Sequence, residues 1–138
     1  MIDYIEKKQT GVVMIVTKKK TILYDEPLTR VLQRYAQREL TSIGARIKAT
    51  KQQFNLQSKV PIYLGKDLLL IPIKSLRSPH ALLVNFYAIR SYHNCSEGEL
   101  KLVFNDAVQI IIGCKASFRR QMMHCRTIDL FMSECQSK

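Results

Sequence analysis

Arg30, Arg34 and Arg38 recur every four residues, and Arg46, Lys48 and Lys51 follow them with Glu39 as the one acid between. On a helix, a four-residue spacing sets three guanidinium groups in a row along one edge. Such a row repels itself until something negative arrives, although helices also carry merely solvated charged faces. Over residues 27–66 eight Lys and Arg stand against one acid, within a chain that has 22 against 11 and a formal net charge of +11. The charge is therefore gathered in one stretch. It points to a polyanionic partner: nucleic acid, an anionic membrane surface or an acidic protein. Further along, Lys74 and Arg77 fall in a segment rich in Ser and Pro, which suits close approach of backbone to phosphates. Arg119 and Arg120 flank the start of an expected helix, where backbone N–H groups can also meet a phosphate. Lys18, Lys19 and Lys20 read first as a solvated hairpin tip, with a phosphate clamp as the sharper alternative.

Catalytic chemistry finds little support. The five glycines are scattered at 11, 44, 65, 98 and 113, so there is no phosphate-cradling loop. Neither a G-x-S-x-G elbow nor an H-E-x-x-H helix is present. His80, His93 and His124 have no acid and nucleophile beside them in sequence. None of the four cysteines forms a C-x-x-C pair, and the spacing of His93, Cys95, His124 and Cys125 does not suit structural zinc. The thiols are expected to be free, in or near the core. The reading is of a non-enzyme without metal or cofactor. A DNA-binding helix-turn-helix is not expected, because residues 47–54 offer few apolar anchors. The spacings of a zinc finger, a basic zipper and an RNP-type aromatic platform are also missing. Two alternatives stay open beside DNA binding: a basic RNA-binding module, and a protein-interaction module.

The elements that must position these cations can be read from periodicity. Residues 11–17 form a strand, 18–20 a turn and 21–25 the returning strand. From Pro27, suited to the first helical position, to about Arg38 the pattern is helical, with Val31, Leu32, Tyr35 and Ala36 on one face. Residues 41–54 form a mixed, basic segment, and the region from Pro27 to Lys51 is long enough for two short helices with Gly44 between them. Strands are expected at 60–64, 68–73, 81–92, 99–104 and 108–114, and the short gaps between them require antiparallel neighbours. Asn105-Asp106 is a tight hairpin turn. Ser117 is the expected N-cap of a closing helix, with Phe118, Met122, Cys125, Ile128 and Met132 along its core face. The fold class is thus α+β: one domain over residues 1–138, with an antiparallel sheet of about six or seven strands, a basic helical segment after the first hairpin and a C-terminal helix. The longest apolar runs, 68–73 and 108–113, fall far short of the roughly 18 residues that would suggest a membrane span. The acidic start does not read as a secretory signal. A cytoplasmic protein without membrane contact is expected.

Residues 41–128 resemble the ComK family of competence transcription factors. The succession carries it: Ser42 to Arg46 and Thr50, then Lys59-Val60-Pro61-Ile62, Leu69 to Ser75, Pro79, Val84-Asn85, the hairpin at Asn105, and Ser117-Phe118-x-x-Gln121. The matching family succession runs G-S-S-x-x-G-R-x-x-G-T, K-x-P-I, a phenylalanine-proline-threonine strand end, C-x-W-I and S-F-x-x-Q. Leu40, Ala45 and Ala49 stand where the family has glycine, Ala81-Leu82-Leu83 where it has Cys-x-Trp, and Ile71 and Ile73 around Pro72 where it has Phe and Thr. The resemblance implies an activator of DNA-uptake genes at the bacterial nucleoid. It implies binding to AT-rich double-stranded promoter boxes as a homo-oligomer, largely through the minor groove, with a regulatory protease adaptor as a further partner. Arg46 matches the family's Gly-Arg pair, which makes it the first expectation for a groove-inserting residue. Lys48, Lys51, Lys74 and Arg77 complete the expected surface, followed by Arg30, Arg34 and Arg38, then Arg119 and Arg120.

Overall fold

Apolar alternation builds two meanders. The first joins Ile2–Lys7 (β1), Val13–Thr17 (β2) and Thr21–Tyr24 (β3); the second joins Ile62–Tyr63 (β4), Leu69–Lys74 (β5) and Leu82–Asn85 (β6). β6 pairs antiparallel with β1, fusing the meanders into a six-stranded sheet of order β3-β2-β1-β6-β5-β4. After one 3₁₀ turn, Phe86–Ala88, the strands Ile89–Asn94 (β7), Leu100–Phe104 (β8) and Gln109–Ile112 (β9) form a separate antiparallel sheet. Three helices complete this computed structural model: Leu28–Arg38 (α1), Ile43–Phe54 (α2) and Lys115–Gln136 (α3). It describes residues 1–136.

The large sheet is covered on both faces. Ile5, Ile15, Leu70 and Leu83 pack with Val31, Leu32 and Ala36 of α1 and Ile43 of α2. On the other face Leu69, Ile71 and Val84 pack with Leu102 and Phe104 of the small sheet and Phe118, Cys125 and Ile128 of α3. β5 feeds both cores, so its Leu-Leu-Ile run needs no polar alternation. Each fully buried Leu or Ile contributes about 1.5–3 kcal/mol.

The α+β class, the hairpin at 18–20, the basic helical segment and the closing helix are as expected. Several local expectations change. β1 went unread because Asp3, Glu6 and Lys7 hide its alternation, yet it lies in the middle of the sheet. Residues 81–92 are not one strand: they divide between two sheets at Asn85, whose side chain accepts from Tyr87 N–H and diverts the backbone into the 3₁₀ turn. Residues 43–54 form one complete helix. Ser42 Oγ caps it by accepting from Ala45 N–H at 3.1 Å, and Asn55 closes it at φ 55°. Gly44 lies in its first turn. The break between the helices is instead at Leu40, φ 56°, where Leu40 N–H and Thr41 N–H return to the Gln37 and Ala36 carbonyls. That C-terminal cap favours glycine, which the resembled family has at this position. α3 begins at Lys115, so Ser117 lies in its first turn and is not its N-cap. Of the thiols only Cys125 is buried, and burial pushes it well above the usual thiol range; Cys95, Cys114 and Cys135 are exposed.

Two buried polar groups hold the layers in register. Asn85 is fully buried. Its Oδ1 accepts from Leu69 N–H (3.1 Å) and Tyr87 N–H (3.3 Å), and its Nδ2 donates to the Ile2 carbonyl (2.7 Å) and the Asp67 carbonyl (2.9 Å). Asp3 occupies a bulge in β1, where Ile2 faces Thr17 and Tyr4 faces Val16. There it meets Asp106 in the β8–β9 turn. Both Oδ2 atoms are buried, and among the described residues neither has a hydrogen-bonding partner apart from the facing carboxyl. Burial first, then the Asp106 carboxylate, push the Asp3 carboxyl up to about 7; the hydrogen bond from Asp3 holds Asp106 below its usual range. A proton held on Asp3 would thus link the large sheet to the turn of the small one.

Asn85→Ala orphans four backbone groups and is expected to cost at least about 3 kcal/mol in urea unfolding; a loss under about 1 kcal/mol would refute the node. For Asp3 the native carboxyl holds its proton more tightly than the unfolded one. Its stabilisation is full below the ordinary value of 3.8 and is lost as pH rises through about 7. Unfolding free energy should thus decline between those limits. In Asp3→Asn the amide donates permanently, and this decline should flatten. An unchanged slope in that variant would contradict the shared proton.

Candidate nucleic-acid interface

The cations expected from sequence come from four places in the fold. Arg30 and Arg34 line a cleft of ≈670 Å³ between α1 and α2, with Gly44 and Ile47 on the α2 wall and Leu76 at its end. The helices are tied there by Gln33 Oε1, which accepts from Ile43 N–H at 3.2 Å. Ile47 and Leu76 also belong to a second hollow, of ≈250 Å³, whose rim carries Lys51, Lys59 and Arg77 over a floor of Val60, Ile62 and Pro72. The two hollows therefore form one continuous face. Gly44, Ile47 and Lys51 share a helical stripe, and exposed Lys48 stands beside it. Lys74, exposed at the end of β5, leads into the 75–80 loop that carries Arg77. Lys59 extends the face to a third hollow lined by Arg120 and His124 of α3.

The three arginines of α1 are not equivalent. Arg34 is ion-paired with Glu26 and its guanidinium lies 5.3 Å from the Tyr24 ring centre. Glu39 is thus not the only acid that matters to this row. Arg38 stacks on Tyr35 at 4.9 Å and faces the β4–β5 turn, beside Asp67. Arg46 is half-buried on the other side of α2, its guanidinium 5.6 Å from the Tyr63 ring centre, in a hollow shared with Ile128 and Phe131 of α3. Arg119 donates to Asn94 Oδ1 at 3.3 Å, away from the Lys51 hollow.

The structure thus brings together Arg30, Arg34, Lys48, Lys51, Lys74 and Arg77, with Arg120 reached through Lys59. It does not join Arg38, Arg46 or Arg119 to them. Sequence reading missed Lys59, although it begins the Lys59-Val60-Pro61-Ile62 motif. It also missed the β1–β2 turn: Lys7 N–H donates to the Ala81 carbonyl at 2.9 Å, which puts Lys7 and Lys8 at the same end of the sheet as Lys74. Gln121 Nε2 donates to the Lys59 carbonyl, linking the two sequence motifs that contain these residues.

Such a face can neutralise a row of phosphates, with an apolar floor available to sugar or base edges. Among the described residues no three His, Cys, Asp or Glu side chains gather as a metal site, and no helix is long and apolar enough to cross a membrane.

A family model described as ComK protein matches residues 1–137. No curated protein matches the chain. Among solved structures, the LytTr DNA-binding domain of a methyl-accepting/DNA response regulator from Bacillus cereus is similar at 11% identity. That match has a TM-score of 0.45 and covers 88% of this chain and 80% of that one.

Glu26→Ala should release Arg34 and remove a negative charge from the α1 edge. Duplex DNA affinity is expected to rise a few-fold at low salt, the gain shrinking as salt is added. Weaker binding by a folded variant, measured by fluorescence anisotropy, would show that the pair supports the surface instead of restraining it.

Proposed function

Since this chain belongs to the ComK family of DNA-binding transcription regulators, we propose that it binds AT-rich promoter duplex through the face described above and activates DNA-uptake genes. The observation that carries the proposal is the continuity of that face. Lys51, Lys59 and Arg77 converge from α2, the segment after it and the β5–β6 loop onto one apolar-floored hollow. It runs on into the cleft bearing Arg30 and Arg34. A catalytic site would need groups poised around a substrate; here the groups are cations spread along a surface.

The parts divide by geometry. Lys48, Lys51, Lys59 and Lys74, with Arg30 and Arg34, neutralise phosphates and set the register of the duplex. Arg77 takes the groove-reading part, because it is exposed on a loop that can enter a narrow groove. A-tract minor grooves concentrate negative potential and favour an inserted arginine. Arg46, half-buried on Tyr63, is set aside from that part and holds α2. Arg38, Arg119 and Arg120 act at the flanks. Reading by a loop needs no recognition helix in the major groove. Binding to paired boxes as an oligomer belongs to the same proposal.

The test is anisotropy on a duplex with two A/T tracts and on a GC-rich duplex of equal length, over a salt series. Lys51→Ala should weaken both duplexes and lower the salt slope by about one unit. Arg77→Ala should instead erode the preference for the A/T duplex. Equal, steeply salt-dependent binding of the unaltered protein to both duplexes would leave a general polyanion binder and refute the AT-rich reading.

A further inference from the structure

On the side of α2 away from Lys51, a hollow of ≈160 Å³ lies between α2 and α3. Phe54 of α2 and Ile128, Phe131 and Met132 of α3 are its apolar walls, with the Phe54 and Phe131 rings edge to face at 5.4 Å. Arg46 is the one charged residue among the described residues that line it. The guanidinium rests 5.6 Å from the ring centre of the buried Tyr63. The other two ring-stacked arginines have acids at hand. Arg34 is paired with Glu26, and Glu39 and Asp67 line the hollow of Arg38. Among the described residues Arg46 makes neither an ion pair nor a side-chain hydrogen bond. Contact with the face of a tyrosine fixes the cation without using its N–H donors. A planar fork of donors therefore stands ready beside aromatic walls.

These features select a ligand by its chemistry. The fork matches a carboxylate bidentately, and two phenyl rings with a thioether match an apolar, aromatic body. A hollow well below the roughly 300 Å³ of a drug-sized pocket suits a single ring with a short acid arm. Inorganic phosphate has no apolar surface to bury there. We propose that this hollow binds a small aromatic monocarboxylic acid, its carboxylate on Arg46 and its ring against Phe54, Phe131 and Met132. The site stands apart from the duplex reading: Lys51, Lys59, Arg77 and Arg120 do not line it, and it is tested with no DNA present.

The experiment titrates phenylacetate into the protein and follows methionine methyl and backbone amide shifts by NMR. Saturable shifts at Met132 and residues 46–54 are expected, with half-saturation at about 1 mM or below. Phenylacetamide, nearly the same shape but neutral, should bind at least about tenfold more weakly. Arg46→Met keeps an apolar stem, removes the fork and should lose binding by a similar factor. Ala49→Leu leaves Arg46 in place and fills the hollow from an exposed position; it should abolish binding as well. Both variants are checked for native circular dichroism. Absence of saturable shifts at these residues would overturn the site, as would undiminished binding by both folded variants. Equal binding of phenylacetamide, or of inorganic phosphate, would overturn the ligand class.

Discussion

The amide of Asn85 is the constraint on which the rest of the architecture depends. It stands where the chain leaves one sheet for another, and all four of its hydrogen bonds go to backbone groups of other segments or of the turn it caps. A buried amide with every donor and acceptor satisfied tolerates one arrangement of its neighbours, since any slip leaves a polar group unpaired away from water. The first strand, the turn before β5, the start of β5 and the 3₁₀ turn are therefore fixed together. Because β5 and β6 are held in register, the 75–80 loop between them is also placed, and with it Arg77.

The two cores have different consequences for the surface. α1 and α2 bury one stripe each against the large sheet and turn their remaining faces outward. Every charged residue on these two helices is cationic, the other outward polar residues being neutral Thr and Gln, so this layer becomes the basic face. The small sheet and the core stripe of α3 cover the opposite side of the large sheet, and the start of α3 meets the segment after α2. Lys59, with φ 45°, lies at that junction. It connects charges that are far apart in sequence.

Aromatic rings and one acid sort the arginines. Tyr24, Tyr35 and Tyr63 each receive a guanidinium, and Glu26 pairs with one of these three. An arginine stacked on a ring keeps its charge, but its position is committed to the protein. Along the basic face the lysines, Arg30, Arg77 and Arg120 are the cations not stacked on a tyrosine ring.

The sequence by itself determined the class of fold, the antiparallel arrangement, the core stripes of α1 and α3, and the concentration of positive charge over residues 27–66. These are local properties: side-chain period, turn chemistry and composition act over a few residues. Motif order also carried the family resemblance through Lys59-Val60-Pro61-Ile62 and Ser117-Phe118-x-x-Gln121. Only the tertiary structure decided that β1 is central, that residues 81–92 divide at Asn85, and that Arg46 faces away from Lys51. It alone brought Lys51, Lys59, Arg77 and Arg120 to one face and paired Arg34 with Glu26. Each of these depends on contacts between residues distant in the chain, or on a buried polar group whose partners local periodicity does not encode.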